Sequence, residues 1–167
     1  MIETVRERYG ITVELVRPDD REVAEMVARH GRDLFYDSVD KRLLCCEVRK
    51  VRPLARKLRE LDAWATGLRR EQSESRAGTP VAEWADGKVK LNPLAAWTAE
   101  DLDRYTREHD VPMHPLYARG FASIGCEPCT RAVHPGEGKR SGRWWWEEGT
   151  AKECGIHVTP EGLVRRA

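Results

Sequence analysis

The chain has 167 residues with a net charge of +1, so it is one domain by length and has no bulk charge to draw nucleic acid or an anionic membrane. No apolar run approaches the ~20 residues that span a bilayer, and no signal-peptide core opens the chain, so the expected location is cytoplasmic. Five cysteines, an odd count without a secretion signal, argue against a disulfide framework and for metal or redox chemistry.

Glu3 to Tyr9 reads as the end of a helix stopped at Gly10, and the β-branched run Ile11 to Val16 as a strand. Pro18 and Asp19-Asp20 open a helix whose apolar face carries Val23, Met26, Val27 and His30, with Gly31 ending it. His30 on that face reads as a packed or surface histidine. Asp40 to Leu61 is the longest helical stretch, with Leu44, Val48, Val51, Ala55 and Leu58 as one buried stripe. Pro53 lacks an amide proton and is expected to kink or divide that helix. Cys45 and Cys46 precede the proline.

Ala63 to Thr66 is a short strand candidate, followed by the loop Gly67 to Arg76 with three arginines. A polar, arginine-bearing loop after a strand is a common anion site in α/β folds, and also a common solvated loop. Lys88 to Leu91 is a further strand, closed by Asn92-Pro93-Leu94. Thr98 and Asp101 form a capping box for a helix ending near His109. Repeated strand-then-helix order predicts an α/β fold. Beyond Val111, prolines and glycines mark irregular backbone. Gly136 to Arg143 reads as a mobile basic loop, Trp144-Trp145-Trp146 as an anchor for loop and tail, and Thr159 to Ala167 as a polar tail.

Two features carry chemistry. Cys126-x-x-Cys129 serves zinc, redox disulfides or iron–sulfur clusters alike. With Cys45-Cys46 it makes four thiolates. Spacing alone leaves a [4Fe–4S] cluster, zinc or unrelated buried thiols open, although adjacent cysteines fit a compact polynuclear centre better than a tetrahedral zinc site. Cys154, between Glu153 and Gly155 and three residues before His157, is a nucleophile if it lies near cations, and otherwise an incidental surface thiol. Arg140 and Arg143 offer paired donors to phosphate or sulfate, or belong to a solvated loop.

These residues together resemble the assimilatory sulfonucleotide reductases, and most closely the cluster-containing adenylyl-sulfate (APS) reductases. The resemblance runs through Cys45-Cys46 with Arg49-Lys50 and Pro53-Leu54, Gly67 to Ser73, and Asn92-Pro93-Leu94 with Trp97. It continues through His114 to Tyr117, Gly120, Ser123 to Cys126, Cys129-Thr130, Arg140-x-x-Arg143, the tryptophan run and Glu153 to His157. The related 3′-phosphorylated (PAPS) reductases typically lack the two cysteine pairs. The resemblance implies an adenine-nucleotide α-hydrolase-like parallel sheet with flanking helices and a flexible C-terminal catalytic tail. The expected division is a reductase core over residues 1–147 and a tail over 148–167. Cys45, Cys46, Cys126 and Cys129 would ligate a [4Fe–4S] cluster, with Lys50 near it and orienting substrate. Arg76, Arg140, Arg143, His157 and Gly67 would bind substrate, and Cys154 would attack the sulfur of APS. Thioredoxin or a similar thiol donor would then release sulfite, in sulfate assimilation and cysteine biosynthesis. A homo-oligomer is compatible with this picture. Such proteins normally begin with a strand bearing a Ser-Gly-Gly-x-Asp-Ser-like phosphate loop. Met1 to Gly10 resembles the helix after their second strand, so the chain is expected to be N-terminally shortened.

Overall fold

The computed structural model describes residues 1–85, 87–148, 152–154, 158–159 and 162–163. The chain forms two compact units that interleave in sequence, where the sequence reading divides it once, near Glu147. The first unit comprises residues 1–14 and 109–152, the second residues 15–108 and 153–167.

In the first unit, α1 (Ile2–Tyr9) buries none of its residues and ends at Gly10. Arg8 ties it to the second segment, donating to the Asp110 carboxylate at 3.0 Å and to the His109 carbonyl at 2.7 Å. Among the described residues the rest of this unit is irregular backbone with one-turn 3-10 helices at Tyr117–Arg119 and Glu127–Cys129. The expected strand at Ile11 to Val16 does not form, and Ile11, Val13, Leu15 and Val16 are exposed. A β-branched run becomes a strand only where a second strand accepts its ladder of hydrogen bonds, and among the described residues this one pairs with none.

The second unit is α/β. Asp19 caps α2 (Asp20–His30), its carboxylate accepting from the amides of Arg21 and Glu22. These bonds hold the Asp19 pKa below its ordinary value. Met26 is the buried residue of α2, while His30 is exposed.

The long helical stretch is three pieces in series: α3 (Val39–Cys46), a π-helical turn (Glu47–Val51) and α4 (Arg52–Leu58). The helix is therefore not divided at Pro53. The proline ring collides with the carbonyl four residues back in a regular α-helix, and a wider turn just before it relieves that collision. The Arg52 amide reaches back five residues, to Glu47. The extra residue rotates everything after it, so the expected stripe is only partly realised. Val48 is buried, but Ala55 is exposed and Pro53 is buried instead.

The sheet of this unit has the order β1-β3-β2, with β1 (Ala63–Ala65), β2 (Ala82–Ala85) and β3 (Lys88–Leu91). β1 and β3 are parallel, pairing Trp64 with Lys90, and β2 and β3 are antiparallel. The sheet is thus mixed rather than wholly parallel. β2 reverses into β3 through Gly87, whose φ of 73° suits a residue without a Cβ. Asn92, fully buried at the end of β3, accepts from the Thr66 hydroxyl and donates to the Pro80 carbonyl at 2.9 Å. It joins the chain leaving β1 to the chain entering β2. α5 (Ala99–Glu108) carries the expected capping box, with reciprocal bonds of 3.0 Å between Thr98 and Asp101. A two-stranded piece, β4 (Val158–Thr159) with β5 (Gly162–Leu163), closes the described chain. No helix among the described residues is long and apolar enough to cross a membrane.

Candidate active site

In the second unit, the loop after β1 receives the Cys154 segment. Two one-turn helices, Arg70–Gln72 and Glu74–Arg76, shape the loop. The segment that follows β3, at Ala95 and Trp97, supports it. The Arg70 amide donates to the Ala95 carbonyl at 3.0 Å, and the Arg69 guanidinium to the Trp97 carbonyl at 3.3 Å. Gly67 opens the loop in an exposed position where a side chain would meet no neighbour.

Glu153 sits in this loop, buried at 3% exposure. Ser73 and Ser75 donate their hydroxyls to its Oε1 at 3.1 and 2.9 Å, and Arg76 donates to Oε2 at 3.0 Å. Gln72 steadies the far edge of Arg76, accepting from it at 2.5 Å. Arg42, itself 2% exposed on α3, donates to the Glu153 backbone carbonyl at 2.9 Å. A carboxylate leaves water only when paired and hydrogen-bonded, and this one has three donors. The next residue, Cys154, is also buried, and its Sγ lies 3.5 Å from the Lys50 ammonium. Lys50 reaches it from the π-helical turn. An ammonium at this distance favours the thiolate, the nucleophilic form of cysteine.

The structure therefore brings Cys154, Lys50 and Arg76 into one neighbourhood. It adds Arg42, Ser73, Ser75 and Glu153, to which the sequence reading gave no role. His157 lies outside the described residues.

The first unit holds Cys126, Cys129, Arg140 and Arg143. Cys126 precedes and Cys129 closes a single 3-10 turn stiffened by Pro128. Thr130 locks the turn, donating to the Cys126 carbonyl at 2.8 Å and accepting from the Gly125 amide at 3.1 Å. The basic loop after it is pinned rather than loose. Arg131 clamps Glu137 through two bonds of 2.8 Å. Residue 143 forms an antiparallel bridge with Thr130. Arg143 is buried, with its guanidinium 4.3 Å from the centre of the Trp144 ring. A Cβ at Gly125 would fall on that guanidinium, so a side chain there requires Arg143 to move. Trp144 is 1% exposed and has a left-handed backbone, φ 44°. Such a conformation persists in a non-glycine residue only where surrounding packing imposes it. Trp145 and Trp146 meet edge-on at 4.8 Å. Arg140 donates to the Lys152 carbonyl at 2.8 Å.

The two cysteine pairs belong to different units. In each pair one thiol is buried (Cys46, Cys129) and one is half-buried (Cys45, Cys126), and no disulfide joins any cysteine. Partly shielded thiols in closely spaced pairs fit the donor chemistry of a thiolate-held iron–sulfur cluster. Within neither unit do three His, Cys, Asp or Glu side chains gather as a metal-ion set among the described residues.

The fold and this neighbourhood describe an α/β protein in which a lysine-flanked cysteine docks beside an arginine-bearing loop. Residues 1–132 match the family described as phosphoadenosine phosphosulfate reductase domain, and the chain belongs to that family. It is similar to a Burkholderia cepacia protein named adenosine 5'-phosphosulfate reductase, 53% identical over 95% of this chain and 64% of that protein. It is also similar to a Rhizobium tropici protein of the same name, 45% identical over 98% of this chain and 92% of that one. Among solved structures, the phosphate complex of a phosphoadenylyl-sulfate reductase from Candida auris matches with a TM-score of 0.59. That match has 30% identity and covers 79% of this chain and 63% of that one. The chain thus spans less than two thirds of the length of several curated relatives.

Proposed function

We propose that the chain takes part in the thiol-dependent reduction of APS to sulfite and AMP, in sulfate assimilation and cysteine biosynthesis. The observation that carries this reading is the Cys154 sulfur 3.5 Å from the Lys50 ammonium, in a tail docked on the Arg76 loop. The names of the relatives support APS as the substrate.

In this reading the Cys154 thiolate attacks the sulfur of bound APS. A bond forms between Sγ and that sulfur, and the sulfur–oxygen bond to AMP breaks. AMP departs with the electron pair, leaving an S-sulfocysteine on Cys154. Lys50 and Arg76 counter charge on the sulfate and on the departing phosphate. Arg140, Arg143, Gly67 and His157 complete the substrate contacts by resemblance to the family. A thiolate of thioredoxin, or of a similar donor, then attacks Cys154 Sγ and expels sulfite. A second donor thiol resolves the mixed disulfide, so the two electrons come from the donor dithiol. Cys45, Cys46, Cys126 and Cys129 would hold a [4Fe–4S] cluster, which when bound supplies a fixed electrostatic environment without a change of redox state. The reading places the protein in the cytoplasm, with a homo-oligomer compatible.

The test is incubation of anaerobically purified protein with APS, followed by mass analysis of the Cys154 peptide. A sulfite adduct that disappears in Cys154→Ser is the expected result. Its absence in a cluster-replete sample overturns the reading and leaves a metal-binding relative without the activity. The same assay with PAPS tests the second reading, favoured by the family description and by the Candida auris match. Brown protein with about four irons per chain is expected, whereas colourless protein with stoichiometric zinc rejects the cluster.

A further inference from the structure

We propose that Glu153 is a positioning residue: its carboxylate, seated between Ser73, Ser75 and Arg76, docks the tail so that Cys154 lies against Lys50. The inference rests on the reading of Cys154 as the nucleophile and adds a residue to which neither the motifs nor the comparisons give a role.

Glu153 is held at two points: by its carboxylate through Ser73, Ser75 and Arg76, and by its backbone carbonyl through Arg42. A residue fixed at both main chain and side chain fixes the peptide plane that follows it. Only φ and χ1 of Cys154 itself then decide where its Sγ points. Both Glu153 and Arg42 are buried, at 3% and 2% exposure, so their pairing has little competition from water. An uncompensated buried carboxylate is expensive, and the cradle offsets that cost only while Glu153 occupies it. Docking and correct placement of the thiol are therefore one event.

The test uses the full chain without substrate. The Cys154 peptide is quantified after alkylation with neutral iodoacetamide or anionic iodoacetate, and a synthetic peptide of the tail is the undocked reference. In the wild type, burial makes Cys154 slow relative to the peptide, and Lys50 raises the iodoacetate-to-iodoacetamide ratio above the peptide's. In Glu153→Ala the rate rises about 10-fold toward that of the peptide, as local opening requires, and the ratio falls to the peptide's. Glu153→Gln keeps an acceptor for both serines and recovers part of both readouts. Lys50→Met lowers the ratio while the rate stays slow, separating docking from charge. A double Ser73→Ala, Ser75→Ala variant moves both readouts in the same direction as Glu153→Ala with the tail sequence intact, which guards against misfolding of one variant. Wild-type rate and ratio in Glu153→Ala overturn the proposal. The functional reading fails separately: docking with no sulfite adduct removes the enzyme assignment alone, and an adduct with unchanged alkylation in Glu153→Ala removes the positioning role alone.

Discussion

Arg76 and Arg143 are both arginines in basic, glycine-containing loops, and the sequence offers both as anion ligands. Their settings differ. Arg76 already holds a carboxylate, and its neighbours Ser73 and Ser75 aim hydroxyls at the same group. Arg143 is stacked on Trp144 and packed against Gly125, and it donates at 3.5 Å to a main-chain carbonyl. One side chain is paired with an acid of its own chain, while the other lays its guanidinium face on an aromatic ring. Guanidinium spacing in a sequence marks where cations are, and packing decides what each of them meets within the fold.

Substitutions can break this contrast. Arg76→Ala should have the largest effect, because it leaves the buried Glu153 carboxylate without its cation, a loss of about 3 kcal/mol of tail docking. Amides of residues 152–154 should then exchange roughly 100-fold faster, while the melting temperature changes little. Arg143→Ala should do the reverse: a loss of about 2 kcal/mol of stability, at about 2–4 °C per kcal/mol in a thermal melt, with tail exchange unchanged. If both variants move the same observable, the contrast is wrong. Gly125→Ala should reproduce Arg143→Ala at about half its size, because the new Cβ displaces the same guanidinium.

The smallest effects are expected from acid. Arg131, then the His134 amide, hold Glu137 at a pKa of about 2, against an ordinary 4.5. The Thr98 amide and hydroxyl, then Arg104, hold Asp101 at about 2, against 3.8. Both values are depressed on folding, so each carboxylate's contribution is complete above its ordinary value and is lost as pH falls from there through about 2. Far-UV circular dichroism should report fraying of α5 over 3.8 to 2 that Asp101→Asn removes. Near-UV signal from the tryptophans should follow the 131–137 clamp from 4.5 downward.

The sequence made the helices and their caps legible because these rest on local chemistry: Asp19, Gly31 and the Thr98–Asp101 box all sit where expected. Strands were less legible. Ile11 to Val16 has the right composition but no partner among the described residues, while Ala82 to Ala85 pairs with β3 despite weak strand composition. In the site, Cys154, Lys50 and Arg76 could be picked out by residue type. Arg42, Ser73 and Ser75 could not, because they acquire a task only when a segment some 80 to 110 positions away folds onto them. For Glu153 the available signal was its place beside the cysteine. An acidic residue next to a nucleophile opposes thiolate formation unless its charge is already taken up, and Arg76 does that.

The π-helical turn between Cys46 and Pro53 also constrains how the chain can change. It contains one residue more than a regular helix needs, and deleting one would bring the Pro53 ring against the carbonyl four residues back. Everything beyond it would turn by about 100° relative to Cys45 and Cys46, and Lys50 would lose its line to Cys154. The fit of Pro53 and the register of the site therefore favour the same length for this segment. Substitutions there should be tolerated more readily than a single-residue deletion.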